Sequence, residues 1–411
     1  MEFQVEIVRL DDQGRGIGYI DGKIVFVENA LPEEIVRVFI TKEKKKFYEA
    51  KVVERLVTSP DRVIPNCLYY DTCGGCNLMH LTYCKQLEYK KNKGIQILKK
   101  FAGIEIEDTD IIASDAFYYR NKVVFHVKCG KLGFYQKESH NFVEINQCLL
   151  LHPKINELLT VLKGANFLNT VEKVMIRTFQ DGLETQIVFY PQENLNQEEI
   201  IHRIKDLVTS IYVDHTCIYG NDEILEKIGD RNYLVRPESF FQVNTKMTKK
   251  LYDEVREKLE PSKDDIVLDL YCGAGTIGLY IAPFVKYVYG VEIVKEAIVS
   301  AKKNQEINRT KNIEFYVGDT KTILEKFHLQ ANKVIVDPPR SGLDQRTKKY
   351  LLNIKPERIV YVSCNPVTLA RDIKDLLEKY QFQTVTFVDM FPNTDHVESV
   401  AVLSLKDDEK K

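Results

Sequence analysis

Residues 266–278 read IVLDLYCGAGTIG, an apolar run that ends in an acidic residue and leads into a glycine-rich turn. The spacing Gly273-x-Gly275-x-x-Gly278 is the fingerprint of a nucleotide-binding strand–turn–helix unit. Glycines let the chain turn tightly and approach a ligand at places where a Cβ atom would clash. The fingerprint predicts a nucleotide-type ligand, but dehydrogenases and methyltransferases both carry it.

Three acidic residues follow three successive strand-like runs, and they distinguish between these two classes. Asp269 stands just before the glycines, where its carboxylate would repel a pyrophosphate but not a ligand with a cationic centre. Glu292 ends the run at 287–291 and is placed to accept hydrogen bonds from ribose hydroxyls. Asp319 follows the run at 313–317. This set of acids favours S-adenosylmethionine over NAD as the ligand.

From residue 236 onward the sequence alternates strand-like and helical segments. Such alternation predicts a doubly wound sheet, in which ligands bind beyond the carboxyl ends of the strands. We therefore expect residues 236–411 to form a Rossmann-like, S-adenosylmethionine-dependent methyltransferase domain. The predicted strands are 266–271, 287–291, 313–317, 333–337, 358–363, 384–389 and 398–405.

Residues 1–58 read as about five short strands with glycine-rich turns, which predicts a small β-barrel. The stretch 5–34, VEIVRLDDQGRGIGYIDGKIVFVENALPEE, resembles a TRAM domain, an OB-type RNA-binding module. Lysines 42 and 44–46 precede Phe47 and Tyr48, a mixture that is compatible with a nucleic-acid surface. A solvated charged face, or a barrel that only packs on its neighbour, is the alternative.

A central mixed α/β domain is predicted at 59–235, and it begins with three cysteines, Cys67, Cys73 and Cys76. The chain has nine cysteines and no sequence feature of an exported protein, so metal binding or catalysis is favoured over disulfides. The C-x5-C-x2-C spacing matches neither common ferredoxin pattern. Because His80 could complete a Cys3His zinc site, the spacing leaves iron–sulfur and zinc open.

The candidate chemistry lies at two later strand ends. Residues 337–340 read DPPR, and Arg340 stands where amino-group methyltransferases have an aromatic residue, which argues against methylation of an exocyclic nitrogen. Residues 363–366 read SCNP, so Cys364 precedes a helix whose amides we expect to lower the pKa of the thiol. Addition of a thiolate to carbon 6 of uracil makes carbon 5 nucleophilic, which is covalent catalysis suited to carbon methylation.

The same reaction needs a base that removes the proton from carbon 5. His396 and Glu398 lie two residues apart at the start of the last predicted strand, and we expect them on one side of it. Either side chain could serve, and the residues alone leave the choice open.

Together, the motifs FFQVN (240–244), DLYCGAG (269–275), DPPR, SCNP and DHVES (395–399) resemble the RNA (uracil-5-)-methyltransferase family, in particular its iron–sulfur branch that acts on 23S ribosomal RNA. The resemblance implies that Cys364 is the nucleophile and Glu398 the base. It implies six S-adenosylmethionine-binding residues, Gln242, Tyr271, Thr276, Glu292, Asp319 and Asp337, with Thr276 in a position that is often Asn. It also implies a [4Fe-4S] cluster with four ligands, Cys67, Cys73, Cys76 and Cys148.

The resemblance covers nearly the whole chain and implies an RNA partner. The expected substrate is a loop uridine of 23S rRNA that leaves its stack to reach the nucleophile, and the T-loop uridine of tRNA is the alternative. A non-catalytic RNA-binding protein is a less favoured alternative, and an NAD-dependent dehydrogenase is the remaining one. Residues 79–111 are expected to pack on the catalytic domain.

The expected class is a multidomain α+β protein. No apolar run approaches the ~18 residues that cross a membrane, and the first residues, MEFQ, do not resemble a signal peptide. We therefore expect a cytoplasmic protein without membrane contact, and we expect it to be a monomer.

Overall fold

The computed structural model describes residues 2–137, 139–319, 322, 323, 326 and 330–409. The chain forms two compact units. One contains Met1–Lys93, Phe134–Val143 and Phe391–His396, and the other contains Gly94–Gly133, Glu144–Met390 and Val397–Lys411. The three-domain division at residues 58 and 235 stays a prediction. Among the described residues, no helix is both long and apolar enough to cross a membrane.

Six strands form the N-terminal sheet, in the order β1-β5-β6-β4-β3-β2. Alternate side chains of these strands are buried in one apolar core that includes Val5, Val25, Val36 and Val38. Gly18 has no room for a side chain, because a Cβ atom would lie 2.3 Å from Val5 Cγ1. The strands are β1 (Glu2–Glu6), β2 (Arg9–Leu10), β3 (Gly16–Ile20), β4 (Lys23–Glu28), β5 (Ile35–Glu43) and β6 (Phe47–Val57).

The middle of the chain supplies a seven-stranded mixed sheet in the order β10-β9-β8-β11-β12-β13-β14, and a separate hairpin of β15 and β16. The strands are β7 (Ile111–Ile112), β8 (Lys122–Lys128), β9 (Lys131–Tyr135), β10 (Phe142–Glu144), β11 (Val171–Phe179), β12 (Glu184–Pro191), β13 (Ser210–Val213), β14 (Thr216–Gly220), β15 (Ile224–Ile228) and β16 (Arg231–Val235). The helices are Tyr83–Ala102, Pro153–Leu162 and Gln197–Ile204.

The C-terminal sheet has the order β19-β18-β17-β20-β21-β23-β22-β7. Its strands are β17 (Ile266–Leu270), β18 (Tyr287–Glu292), β19 (Ile313–Val317), β20 (Lys333–Val336), β21 (Arg358–Ser363), β22 (Tyr380–Val388) and β23 (Glu398–Leu405). The helices among them are Thr245–Leu259, Thr276–Ile281, Lys295–Ile307, Gln345–Ile354 and Pro366–Leu376. Each of the seven strands predicted between residues 266 and 405 is present, with bounds shifted by no more than a few residues.

One strand of this sheet runs against the others. The five adjacent strands β19, β18, β17, β20 and β21 are parallel to one another. In contrast, β23 is antiparallel to both of its neighbours, β21 and β22. Ser363, the last residue of β21, is therefore paired with Ser399, near the beginning of β23. As a result, the start of β23 lies at the edge of the sheet where the parallel strands end.

The segment after residue 94 belongs to the core of this sheet. Ile97, Leu98 and Ile104 are buried in the same cluster as the strand residues Leu268 and Phe387. A Cβ atom at Gly94 would lie 2.2 Å from the Phe387 ring, so the helix backbone touches the ring directly. The short strand β7 continues this contact by pairing in parallel with β22.

Candidate active site

The turn after β17 has the backbone geometry that its glycines predict. Gly273 and Gly275 have φ angles of 54° and 75°, in the left-handed region that favours glycine. A Cβ atom at Gly275 would lie 2.5 Å from the Phe315 ring, whereas a Cβ atom at Gly273 would meet no atom within 4 Å. Gly275 is thus needed for packing, and Gly273 borders open space that a ligand can fill.

Asp269 stabilises this turn through a hydrogen bond to its backbone. Its side chain is fully buried, and Oδ2 accepts a hydrogen bond from the backbone N–H of Gly278 at 2.9 Å. Its Oδ1 atom has no hydrogen-bond partner among the described residues. Burial raises the pKa of Asp269 to about 8, and the nearby carboxylates Asp337 and Glu292 contribute to this rise. A buried acceptor of this kind is unsatisfied until a ligand or water donates to it.

Glu292, the last residue of β18, also braces the turn. Its two carboxylate oxygens accept hydrogen bonds from the backbone N–H groups of Gly273, at 3.2 Å, and Val294, at 2.9 Å. An ionised carboxylate has lone pairs for further donors, so these bonds leave capacity for hydroxyl groups of a ligand. The neighbouring Ile293 is 67% exposed.

Four other predicted ligand residues lie on separate elements. Tyr271 follows β17, and its hydroxyl contacts Asp344 at 3.3 Å. The Thr276 hydroxyl accepts a hydrogen bond from Tyr252 at 2.7 Å, so it is already engaged within the protein. Asp319, beyond β19, accepts a hydrogen bond from the backbone N–H of Thr322 at 3.2 Å. Gln242 is partly buried, and its backbone carbonyl accepts from Asn121 at 3.2 Å.

Cys364 and Asp337 directly follow β21 and β20, and Glu398 is the first residue of β23, so the antiparallel direction of β23 brings the three side chains to the same edge of the sheet. Glu398 is 5% exposed, and burial together with Asp337 raises its pKa to about 8, while Arg340 opposes the rise. Burial raises the pKa of Asp337 to about 7. The pairing of Ser363 with Ser399 explains why residues 364 and 398 are neighbours although they are distant in sequence.

The thiol of Cys364 is not activated in the way that the sequence predicted. Burial and the negative charges of Glu398 and Asp337 raise its pKa to about 11, although Arg340 lowers it. The helix that follows is capped by Asn365, whose side chain accepts from the N–H of Val367. The predicted lowering of the thiol pKa was therefore wrong, because desolvation and two carboxylates outweigh the helix amides.

Arg340 is a residue whose importance the sequence did not reveal. It was interpreted only as a departure from the aromatic of amino-group methyltransferases. In the structure, its positive charge lowers the pKa values of both Cys364 and Glu398. The sequence does contain a signal for this role: in the motif DPPR, the cationic Arg340 stands three residues after the acidic Asp337, just beyond the end of β20.

The two candidates for the base have different environments. The prediction that both lie on one side of a strand was wrong, because β23 begins at Glu398 and His396 precedes it. His396 is exposed, and its ring lies 6.0 Å from that of Phe391. Of the two side chains, Glu398 is the one whose charge acts on the Cys364 thiol.

Within the cysteine loop, Cys67 lies close enough to Cys73 for the two thiols to interact electrostatically. Cys73 is partly buried, and this burial raises the pKa of its thiol; a hydrogen bond from the backbone of Gly75 opposes the rise, and the nearby thiol of Cys67 adds to it. Within the part of the chain that the structure describes, no group of three or more His, Cys, Asp or Glu side chains is arranged to hold a metal ion. The thiols suit iron chemically, but the predicted set of Cys67, Cys73, Cys76 and Cys148 is not assembled as a ligand group.

His80, the proposed fourth ligand of the zinc alternative, has another partner. Its Nδ1 atom is hydrogen-bonded to the hydroxyl of Tyr70. Burial, with help from Arg62 and Arg55, lowers the pKa of His80 to about 3, so its ring is neutral. The structure thus gives His80 a role in packing beside the cysteine loop.

Comparisons with known proteins identify the family of the chain. Residues 199–406 match the model of the tRNA (uracil-5-)-methyltransferase family, and residues 1–53 match the TRAM domain. An uncharacterized RNA methyltransferase of Staphylococcus aureus strain COL is 37% identical over 443 residues, with 97% of each chain covered. A relative of the same description from Halalkalibacterium halodurans is 36% identical, with 98% of this chain and 97% of that protein covered.

A solved structure extends the similarity to the whole fold. The tRNA (uracil-54, C5)-methyltransferase of Pyrococcus abyssi, in complex with S-adenosyl-L-homocysteine, is 30% identical and superimposes with a TM-score of 0.79. The match covers 98% of this chain and 100% of that one. The chain belongs to the tRNA (uracil-5-)-methyltransferase family and begins with a TRAM domain.

Proposed function

We propose that this protein transfers a methyl group from S-adenosylmethionine to carbon 5 of a uridine in RNA, through a transient bond between Cys364 Sγ and carbon 6. The observation that carries the proposal is the proximity of a thiol, Cys364, and a buried carboxyl, Glu398, at one sheet edge. A nitrogen methyltransferase needs no such thiol. Family membership supports the same reaction.

S-Adenosylmethionine supplies an electrophilic methyl group on a sulfonium centre. The residues proposed to hold it are Gln242, Tyr271, Thr276, Glu292, Asp319 and Asp337. Two features support a ligand beside them: the unpartnered Oδ1 atom of Asp269 and the open space at Gly273. The carboxyl groups of Asp269, Glu292 and Asp337 lie around this space and repel one another when ionised. A positively charged ligand offsets this repulsion, so the site favours a cation.

Cys364 performs the first covalent step of the proposed reaction. Its thiol loses a proton to solvent, its sulfur forms a bond to carbon 6 of uracil, and the electron pair of the double bond between carbons 5 and 6 moves to make an enolate that is nucleophilic at carbon 5. The raised pKa of the thiol makes its deprotonation costly, and the guanidinium of Arg340 offsets part of this cost. Carbon 5 then forms a bond to the methyl group, the bond between the methyl carbon and the sulfonium sulfur breaks, and S-adenosylhomocysteine is the leaving group.

Glu398 performs the last step. Its carboxylate removes the proton that remains on carbon 5, the bond between Sγ and carbon 6 breaks, and 5-methyluridine and the thiolate are released. A carboxyl with a pKa of about 8 is a stronger base than an ordinary glutamate, whose value is 4.5. Proton transfer is most efficient when the pKa of the base lies near the working pH.

We propose a loop uridine of 23S rRNA as the substrate, flipped out of its stack to reach the thiol. The TRAM domain and the cysteine loop support the ribosomal branch of the family. The T-loop uridine of tRNA is the second candidate, because the Pyrococcus abyssi enzyme of similar fold acts on uracil 54 of tRNA. Mapping of 5-methyluridine in both RNAs from a strain that lacks this protein separates the two.

We also propose that Cys67, Cys73, Cys76 and Cys148 bind a [4Fe-4S] cluster with a structural role. The partly buried thiols and the backbone N–H at Gly75 support the proposal, since amides that point at sulfur stabilise such clusters. Protein purified without oxygen should contain about four irons per chain. A colourless protein with one zinc ion per chain would contradict it.

The reaction itself is tested with purified protein, S-adenosylmethionine carrying a labelled methyl group, and transcripts of 23S rRNA fragments and tRNA. We expect labelled 5-methyluridine in nuclease digests of one of these RNAs. Label on any other nucleoside, or on a nitrogen atom, would contradict the proposal.

A further inference from the structure

The chain segment that leads into the proposed base is held by an extensive set of hydrogen bonds. This segment, Phe391–His396, ends two positions before Glu398. It belongs to the same compact unit as the residues that follow the cysteine loop. Asn393 within it is 2% exposed and has a φ angle of 66°, which is uncommon for a residue other than glycine. A conformation of this kind persists only where the surroundings determine it.

Asn77, the residue next to Cys76, makes a reciprocal pair of hydrogen bonds with this segment. Its Nδ2 atom donates to Asp395 Oδ1 at 2.8 Å, and its Oδ1 atom accepts from the backbone N–H of Asp395 at 2.9 Å. The backbone N–H groups of Asn77 and Leu78 both donate to the carbonyl of Asn393, at 3.1 Å each. One asparagine thus fixes both the side chain and the backbone of Asp395.

The first turns of the helix Tyr83–Ala102 complete the anchor. The Gln86 side chain accepts from the backbone N–H of Asn393 at 2.8 Å and donates to its Oδ1 atom at 3.2 Å. The ammonium groups of Lys90 and Lys93 donate to the carbonyls of Phe391 and Asp395, at 2.9 and 2.8 Å. Gln86 and Lys90 are buried, so these bonds are shielded from water.

We propose that Asn77 is a positioning residue for Glu398, a role that rests on the proposed function. Only two residues, His396 and Val397, separate Asp395 from the base. Because one extended residue spans about 3.5 Å, so short a connection can absorb only a small displacement of Asp395. Displacement of Asp395 therefore moves the Glu398 carboxylate away from carbon 5. Asn77 directly follows Cys76, so a change in the conformation of the cysteine loop would move Asn77 and, through its hydrogen bonds to Asp395, the position of the base.

The test uses RNA with tritium on carbon 5 of its uridines, and compares methyl transfer, tritium release and the amount of protein–RNA adduct on a denaturing gel. Asn77→Asp places a carboxylate against Asp395. We expect kcat to fall by about 10- to 100-fold, with the KM for S-adenosylmethionine unchanged and with adduct accumulating, because proton removal alone is slowed. Asn141→Asp is the matched control, since Asn141 is exposed in the same unit and bonds to Gln136 instead.

A reciprocal exchange separates positioning from general damage. The double variant Asn77→Asp with Asp395→Asn rebuilds the side-chain hydrogen bond with donor and acceptor exchanged and keeps the bond from the backbone N–H of residue 395, so we expect it to recover most of the lost kcat. Lys93→Met, which removes another anchor of Asp395, should reproduce the accumulation of adduct and serves if the first variant does not fold. Wild-type kcat in Asn77→Asp, or reduced turnover without adduct in both single variants, would overturn the inference. Absence of tritium release from the wild-type protein would instead refute the proposed function.

Discussion

Replacement of Glu398 by Gln has opposite effects on two steps of the proposed reaction. Gln has nearly the same shape as Glu but carries no charge and cannot accept the carbon 5 proton. The charge of Glu398 contributes to the rise of the Cys364 pKa from 9.0 to about 11. Above about pH 8, where the Glu398 carboxyl is mostly ionised, removal of that charge increases the thiolate fraction by about tenfold for each pKa unit that is recovered. The bond to carbon 6 should therefore form faster in the variant at these higher pH values.

The later step should be slowed much more. Loss of a general base costs about 10²- to 10⁴-fold. At pH 7.5, a carboxyl with a pKa of about 8 is ionised in roughly a quarter of the molecules, so the wild-type protein retains a competent base. Turnover of Glu398→Gln should fall by at least about 100-fold, while the protein–RNA adduct becomes the main species.

Single-turnover experiments measure the two steps separately. The variant is mixed with RNA and labelled S-adenosylmethionine, and the adduct is quantified on a denaturing gel over time. We expect rapid adduct formation that reaches a stoichiometric plateau, with methylated RNA still attached. His396→Gln is the control and should turn over normally, because His396 is exposed. A Glu398→Gln variant with wild-type turnover, or one that forms no adduct, would refute the assignment of the base.

Three further predictions follow from single residues. Cys364→Ala should lose methyl transfer and retain S-adenosylmethionine binding measured by calorimetry, and residual turnover would remove the nucleophile. The pKa of Asp269 is about 8 in the folded protein, against an ordinary value of 3.8 that applies to the unfolded chain. The folded state therefore binds the proton more tightly, and the free energy of unfolding falls as pH rises from about 4 to about 8. Asp269→Asn should therefore raise the free energy of unfolding in urea at pH 7 by up to about 4 kcal/mol, with no gain below pH 4; an equal gain at both pH values would be inconsistent with this reasoning. Gly273→Val forces a β-branched residue to a φ angle of 54° and fills the adjoining space, so S-adenosylmethionine affinity should fall by about tenfold or more, whereas unchanged affinity would place the ligand elsewhere.

The strands of the C-terminal sheet and the glycine turn were predictable because they depend on local patterns. Apolar runs of four to nine residues, separated by helical segments, predict parallel strands, and the required positive φ angles explain Gly273 and Gly275. The position of Cys364 at a strand end followed from the same patterns. These features need no information about distant residues.

Other features of the site depend on contacts that the sequence pattern does not contain. The direction of β23 cannot be obtained from apolar periodicity, yet it brings Glu398 to the end of β21. The thiol pKa was predicted from its local helix alone, and the decisive carboxylates come from other strands. The anchoring of Asp395 by Asn77 joins residues more than 300 positions apart, so no local motif reveals it.

The most direct test of the account is a covalent trap at Cys364. RNA in which uridine is replaced by 5-fluorouridine has no removable proton on carbon 5, so the adduct cannot resolve after methyl transfer. After digestion with nuclease and protease, mass spectrometry should find the peptide containing Cys364 joined to a methylated fluorouridine nucleotide. If the protein methylates normal RNA but this peptide carries no nucleotide, the proposed covalent mechanism is contradicted.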